Sequence, residues 1–395
     1  MHISKQALEQ YLRERWGPDA AVRSFGPLGH VQSRRVLKGF GYGSPVIIEA
    51  RVGGRTRRMV LETMRPGPHG HEHMADRAHA MLWDYATYNH LPRHVRALDV
   101  GAFTASGRIR SVEDAREFFV LTEFEKGGEY QRDLARIART GRLERQDLAR
   151  ARALADYLVE IHQVKKRAPD LYRRALRDLI GHGECLMGVV DSYPTGKGRV
   201  HEEKSLFRQA QGGRVRQRPG WAGVKGSGAV ITPALLESIE RRANAWRWRL
   251  RGKTGRLSQV HGDYHPWNVL FRKGVDFSVL DRSRQEWGEP ADDVTAMTIN
   301  YLFCSLRRWG DLRGPFERLF RLFWDRYLEG TADHGVLEAA PPFFAFRGLV
   351  IASPVWYPTL DLRVRRALFN FIGNVLDQPR FDPARVNEYL KGAST

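Results

Sequence analysis

Residues 261–294 constrain the fold and chemistry of this chain more than any other stretch. His261 and Asp263 open it, and Asn268 follows the aspartate after five residues. Two short apolar runs come next, separated by a Lys-Gly pair, and the second run ends at Asp281. Apolar runs around such a break predict a hairpin. Because Mg²⁺ prefers carboxylate and amide oxygens as ligands, we expect a metal- or proton-handling site at the edges of this hairpin.

Three motifs of this stretch, taken in order, resemble the aminoglycoside phosphotransferase and choline kinase family. The H-G-D-x-x-x-x-N loop of that family matches residues 261–268, and its metal-binding aspartate matches Asp281. Its G-D-P-x-x-D-L/V segment matches residues 288–294, with Glu289 where an aspartate is usual. The resemblance implies an α+β, bilobal protein-kinase-like fold. Its small N-terminal lobe would hold an antiparallel sheet, and its C-terminal lobe would be mainly helical.

The resemblance also implies an activity and a role for each matched residue. The activity is ATP-dependent transfer of the γ-phosphoryl group to a hydroxyl of a small molecule, with Mg²⁺ as cofactor. Asp263 would orient or deprotonate the acceptor hydroxyl, and His261 of the same loop would be the second catalytic residue. Asn268 and Asp281 would hold Mg²⁺ on the nucleotide phosphates. Asp293 would brace the catalytic loop from a helix.

Nucleotide-binding elements are predicted ahead of these motifs. A glycine-rich loop precedes two β-rich runs, at 45–52 and 55–64, and its backbone N–H groups could cover phosphates. A later apolar run, FFVLTEF, occupies the place of the hinge that pairs with adenine, and a lobe boundary at 126/127 follows it. We therefore expect lobes at 1–126 and 127–395. The nucleotide-binding candidates are Gly39, Gly41, Gly43, Glu123, Glu125 and Arg65.

Glu62 marks a departure from the family pattern. It stands on the predicted strand where a phosphate-binding lysine is expected, and a carboxylate there repels phosphate. The charge must be neutralised by protonation or by a nearby cation. We expect a cation, because buried charges are normally paired. The arginine candidates are Arg58, Arg65, Arg77 and Arg282.

The charge of the chain is strongly basic and unevenly distributed. The net charge is +19, and residues 196–256 hold 15 Lys and Arg against 4 Asp and Glu. Gly- and Arg-rich sequence at 194–230 predicts a flexible basic insertion. No run of 18 apolar residues and no signal-peptide core occurs, so no transmembrane segment is expected. Two isolated cysteines, Cys185 and Cys304, favour the reducing cytoplasm.

Three alternatives to an active kinase remain open. A nucleotide-binding protein without transfer is favoured by Glu62, and a basic RNA- or membrane-binding protein by residues 196–256. A metallohydrolase could use His261, Asp263 and His265 as ligands, although no H-E-x-x-H motif supports it. The identity of the small-molecule acceptor does not follow from the sequence.

Overall fold

The computed structural model describes residues 3–28, 43–66, 74–110, 115–194, 231–282 and 286–392. These residues form two compact units. The first holds the described residues up to Lys126 and a short segment that begins at Ser278. The second holds Gly127–Phe277 and the described residues from 286 onward.

The first unit is built on a six-stranded antiparallel sheet. Its strand order is β1-β2-β3-β6-β4-β5. The strands are β1 (Ala21–Pro27), β2 (Val46–Val52), β3 (Arg55–Thr63), β4 (Ala97–Thr104), β5 (Ile109–Arg110) and β6 (Ala115–Glu123). Two helices accompany the sheet, α1 (Lys5–Trp16) and α2 (Met74–Tyr88).

Each helix packs on its own face of this sheet, because alternate strand residues point to opposite faces. Buried side chains of α1 pack with Phe119 and Leu121 of β6, while those of α2 pack with Val120 between them. Leu280 packs against the edge of the core that lies between α2 and the sheet. The two faces together explain why three consecutive apolar residues are buried in each central strand, at 59–61 in β3 and at 119–121 in β6.

The second unit is mainly helical. Its helices are α3 (Tyr130–Thr140), α4 (Arg145–His162), α5 (Pro169–Gly181), α6 (Leu186–Asp191), α7 (Pro233–Leu250), α8 (Ala291–Trp309), α9 (Gly314–Thr331), α10 (Gly335–Ala352), α11 (Leu362–Leu376) and α12 (Val386–Tyr389). The predicted start of α7 is confirmed: the Thr232 side chain accepts from the Leu235 amide, with Pro233 at the first helical position. Helix α8 is buried at every residue from Ala291 to Leu306, which is typical of a central core helix.

Short strands frame the predicted catalytic hairpin. Strands β7 (Gly128–Glu129), β9 (Val269–Phe271) and β10 (Phe277–Val279) form a sheet of order β10-β9-β7. Strand β8 (Ser258–Gln259) pairs with β11 (Trp287–Gly288), immediately before and after the hairpin. An antiparallel-sheet unit and a helical unit together confirm the predicted α+β kinase-like fold class.

Two sequence-based expectations need comment. The sequence at 111–114 resembles a helix cap ahead of residues 115–119, but residues 115–119 start β6, where pairing with β4 and β3 overrides the local signal.

Helix α10 is long and apolar enough to cross a membrane, but 78% of its 18-residue length is buried inside the protein. Burial of this kind is typical of a core helix.

Candidate active site

The backbone of the loop at 261–268 is held by one buried carboxylate. Asp293, in the first turn of α8, accepts the amide N–H of His261 at 2.7 Å and that of Gly262 at 2.7 Å. Gly262 has φ +84°, a conformation that glycine adopts readily and other residues rarely do. The second unit therefore places the aspartate predicted to brace the loop directly beneath it.

Asp293 is fixed in turn by a buried histidine. His162, at the end of α4, lies with Nε2 3.1 Å from Oδ2 of Asp293 and Nδ1 2.9 Å from the hydroxyl of Tyr327. Burial acts to raise the pKa of Asp293, but the hydrogen bond and charge of His162, with contributions from His261, lower it below its usual value. Asp293 is thus held as a carboxylate that can accept several N–H groups at once.

The carboxylate of Asp263 lies at the accessible point of this loop. Its side chain is 27% exposed, whereas His261, Tyr264 and Asn268 are buried. Oδ1 accepts from Nη1 of Arg347 at 2.6 Å, and Oδ2 lies 3.3 Å from Nε2 of His265. A partly exposed carboxylate on a buried, hydrogen-bonded loop is suited to receive a hydroxyl proton from a small molecule.

His261 does not contact a substrate-accessible surface. Its side chain is completely buried, and its Nδ1 accepts the amide N–H of Asp263 at 3.2 Å. The residue that we expected in the catalytic pair therefore shapes the loop instead. Nδ1 of His261 is thus engaged within the loop, and among the described residues no group of three His, Cys, Asp or Glu side chains is placed to hold a metal ion.

Asn268 is oriented as a metal ligand would be. Its Nδ2 donates to the carbonyl oxygen of Asp263 at 3.0 Å and lies 3.3 Å from Oδ2 of the same residue. This orientation leaves Oδ1 as the ligating atom of the amide. An amide oxygen is one of the ligand types that Mg²⁺ prefers.

Asp281 belongs to the first unit, where three contacts position its segment. Val279 exchanges backbone hydrogen bonds with Arg93 and Val95, and Nη1 of Arg282 donates to the carbonyl of Thr87 at 2.9 Å. Asp281 itself is exposed and has φ +56°, a left-handed conformation that aspartate tolerates better than most residues. Its carboxylate is therefore held at the surface by an ordered backbone.

The groups that shift the pKa of Glu62 do not include any of the four predicted arginines. Arg58 pairs with Glu49, Arg65 donates to Ser44, and Arg282 donates to Thr87. Burial, followed by the charge of Asp281, raises the pKa of Glu62 to about 8. The charge at Glu62 is therefore removed mainly by protonation near neutral pH.

The predicted nucleotide-binding residues are described only in part. Gly39 and Gly41 lie outside the described residues, while Gly43 forms a backbone bridge with Met64. Nε of Arg65 donates to Oγ of Ser44 at 2.8 Å, and the Arg65 side chain is exposed.

At the predicted hinge, two backbone amides are already engaged. Glu123 donates its N–H to the carbonyl of Arg96, and Phe124 donates to that of Arg58. Glu125 accepts from Oγ of Ser278 at 3.0 Å. An adenine ring would therefore have to use other backbone groups of this segment than these two N–H groups.

The sequence interpretation missed Arg347. It lies in α10, 84 residues beyond Asp263 in the chain, and no motif of the catalytic stretch includes it. One signal could have found it: a single arginine in the apolar run PPFFAFRGLVIA must have a buried partner, because burying an unpaired charge is costly.

Glu289, the other departure from the family pattern, is explained by its partners. It is buried and accepts hydrogen bonds from Nη2 of Arg256 at 2.6 Å and from the Tyr172 hydroxyl at 2.8 Å. Nη1 of Arg256 also donates to Asp333 at 2.6 Å. A glutamate at this position thus belongs to a buried ion-pair network that holds the turn before α8.

The family assignment follows from this geometry and from one direct comparison. The model of the phosphotransferase enzyme family matches residues 50–327, which include the loop, Asp281 and Asp293. The chain belongs to this family. Membership places the protein among small-molecule phosphotransferases, and no curated protein matches the chain.

Solved structures similar to this family member have low identity. An aminoglycoside phosphotransferase, APH(3'')-Id from Streptomyces rimosus, is 13% identical with a TM-score of 0.45, over 90% of this chain and 100% of that one. An ethanolamine kinase from Plasmodium vivax is 10% identical with a TM-score of 0.47, over 98% of this chain and 85% of that one. At these scores the likeness carries no argument about the site.

Proposed function

We propose that this protein transfers the γ-phosphoryl group of ATP to a hydroxyl group of a small molecule. The observation that carries the proposal is the carboxylate of Asp263. It is partly exposed on a loop whose backbone is fixed by Asp293 and whose Asn268 side chain is bonded back to Asp263. Such a loop supplies positioning and electrostatic stabilisation, which is most of what phosphoryl transfer requires of a protein.

Asp263 accepts the hydrogen bond of the acceptor hydroxyl and takes its proton as the new phosphorus–oxygen bond forms. The bond between the γ-phosphorus and the bridging oxygen breaks, and ADP leaves with that oxygen. His265 and Asn268 lie near Oδ2 of Asp263 and limit the rotation of the carboxylate. The residues of this chain thus orient one hydroxyl for in-line attack.

Asn268 and Asp281 would hold Mg²⁺, which when bound neutralises charge on the nucleotide phosphates. We assign the nucleotide to the first unit, where Gly43, Arg65 and the 123–125 segment were predicted to contact it. A cytoplasmic location is part of the proposal, because Cys185 and Cys304, the two cysteines of the chain, are buried and are not joined in a disulfide.

Transfer from γ-labelled ATP to a panel of neutral, anionic and cationic hydroxyl compounds tests the proposal. We expect phosphorylation of at least one acceptor, only with Mg²⁺ present. Asp276→Asn is a suitable control, since the Asp276 side chain is exposed and forms a salt bridge with Arg272, four residues before it in the chain. Tight ATP binding without transfer to any acceptor would contradict the proposal.

A second candidate is a nucleotide-binding protein without transfer. Glu62 supports it, because the charge that acts on this carboxylate is that of Asp281 and not that of a cation. Glu62 also stands where the lysine that normally contacts the phosphates is expected. Labelled product forms from γ-labelled ATP if the protein is a phosphotransferase, and it does not form if the protein only binds the nucleotide.

A further inference from the structure

We propose that Arg347 is a positioning residue for the transfer reaction. It holds one carboxylate oxygen of Asp263 so that the other oxygen is presented to the acceptor hydroxyl. The inference rests on the proposed function, because it assigns Arg347 a role through Asp263.

The guanidinium of Arg347 joins three parts of the second unit. Nη1 donates to Oδ1 of Asp263 at 2.6 Å. Nη2 donates to the carbonyl of Gly262 at 2.9 Å and to Oδ1 of Asp292 at 2.7 Å. One side chain from α10 therefore binds the catalytic carboxylate, the backbone beside it and the first turn of α8. Rotation of Asp263 would break a charge-assisted bond and leave a buried charge poorly compensated.

The planar shape of the guanidinium is essential to this arrangement. Its two terminal nitrogens reach different oxygens at fixed angles, which a single ammonium group cannot reproduce. Arg347 is only 8% exposed, so its bond to Asp263 is weakly screened by water. The Oδ1 atom is thereby bonded to Arg347, and we assign the acceptor hydroxyl to Oδ2, which also lies 3.3 Å from Nε2 of His265 and from Nδ2 of Asn268.

A second buried arginine shows what a purely structural role looks like. Arg365, in α11, donates Nε to the carbonyl of Leu360 and Nη1 to that of Ala352. It also donates to the carbonyl of Tyr357. All its partners in the described chain are backbone carbonyls at the turn between α10 and α11. Arg347 instead contacts two carboxylates, and its Nε is buried with no hydrogen-bond partner among the described residues.

The test compares Arg347→Ala, Arg347→Lys and the control Arg242→Ala in the full chain. Arg242 is a matched control, because it also bonds a carboxylate (Asp377) and a backbone carbonyl (Gly373), but on the far helix pair α7–α11. Transfer from γ-labelled ATP to the best acceptor of the panel is measured with and without low guanidinium chloride. Urea at the same concentration controls for denaturation.

We expect Arg347→Ala to lower kcat about a hundredfold, the loss typical of a misplacement near 1 Å, with little change in the KM for ATP. Added guanidinium should restore part of kcat in this variant and none in Asp263→Asn. Arg347→Lys should fall between Arg347→Ala and wild type. The Arg242→Ala variant should keep wild-type kcat with and without guanidinium.

Three outcomes would overturn the inference. These are a folded Arg347→Ala with wild-type kcat, a kcat loss that guanidinium does not reverse, and a rescue that urea reproduces. If Arg347→Ala fails to fold, Arg347→Lys decides alone, and wild-type kcat in a folded Lys variant refutes the inference. A wild-type protein that transfers phosphate to no acceptor refutes the proposed function itself. This outcome is distinguished from the three above because no variant then shows transfer either.

Discussion

The catalytic loop and the segment around Asp281 neutralise their carboxylates by different means. In the second unit, Asp293 and Asp263 each contact specific N–H donors within hydrogen-bond distance. In the first unit, Glu62 and Asp281 act on each other as like charges, and burial raises the pKa of Glu62 to about 8. The carboxylates of the second unit are compensated by hydrogen-bond donors of the chain, whereas Glu62 in the first unit is neutralised by protonation.

This difference indicates where the protein depends on its surroundings. The loop of residues 261–268 keeps its geometry through its own buried bonds, so its substitution should change folding or turnover directly. The carboxylates of the first unit respond instead to pH and to any cation that binds them. The predictions below separate these two kinds of dependence.

Loss of the loop brace should have the largest effect on stability. Asp293→Ala leaves the amides of His261 and Gly262 and the ring of His162 without their acceptor, and we expect a loss of about 3–5 kcal/mol in the free energy of unfolding. Because the folded pKa of Asp293 is lowered, this contribution is present above pH 3.8 and is lost as pH falls through the lower folded value. Denaturant titration at pH 7 and pH 3 checks both points. A loss as small as that of the exposed Asp276→Ala would contradict the brace.

The proposed metal ligand Asp281 should matter less for folding and more for nucleotide binding. ATP with Mg²⁺ should raise the melting temperature, and at a hundredfold excess over Kd the stabilisation is about 2.7 kcal/mol. Asp281→Ala should abolish the Mg²⁺-dependent part of the shift, because one of two protein ligands is lost. Thermal melts with ATP, with and without Mg²⁺, measure it. Equal shifts in both conditions would remove Asp281 from the metal site.

The protonation of Glu62 should appear in the pH dependence of protein stability. Its folded pKa, about 8, lies above the usual 4.5, so its contribution to stability is full below pH 4.5 and is lost as pH rises to 8. Glu62→Gln should therefore gain stability relative to wild type between those values and then level off. Melting temperatures of both proteins from pH 5 to pH 9 test this. A constant difference across the range would show that Glu62 is ionised throughout.

Deletion of residues 195–230 should have the smallest effect on catalysis, because every residue assigned to transfer lies outside it. We expect phosphotransfer to stay within about a factor of two to three of wild type. If the basic segment instead binds RNA, the deletion should abolish a salt-sensitive affinity while transfer remains. A folded deletion variant without transfer would show that the segment contributes to the site.

The sequence predicted those parts of the site that lie close together in the chain. His261, Asp263, Asn268 and Asp293 fall within 34 residues, and the structure brings Asp263 and Asn268 into contact and places Asp293 under the loop. Short spacing in a loop–hairpin–helix segment leaves few alternative arrangements. The assigned roles of these residues in catalysis stay predictions.

Contacts between distant segments could not be predicted in the same way. Arg347 reaches Asp263 across 84 residues, and the lone arginine in an apolar run indicates only that a partner exists. The charge state of Glu62 depends on burial and on Asp281, which is far away in sequence, and residue type alone favoured an arginine partner instead. Predicting the partner of Arg347 and the charge state of Glu62 would require knowing how α10 and β3 pack.

The most direct test of the account compares Asp263→Asn and Glu62→Ala in one transfer assay. Each is given γ-labelled ATP, Mg²⁺ and the best acceptor, and ATP affinity is measured alongside. We predict that Asp263→Asn binds ATP normally and loses about a hundred- to ten-thousand-fold in kcat, whereas Glu62→Ala keeps transfer. Unchanged kcat in a folded Asp263→Asn variant would contradict the central claim.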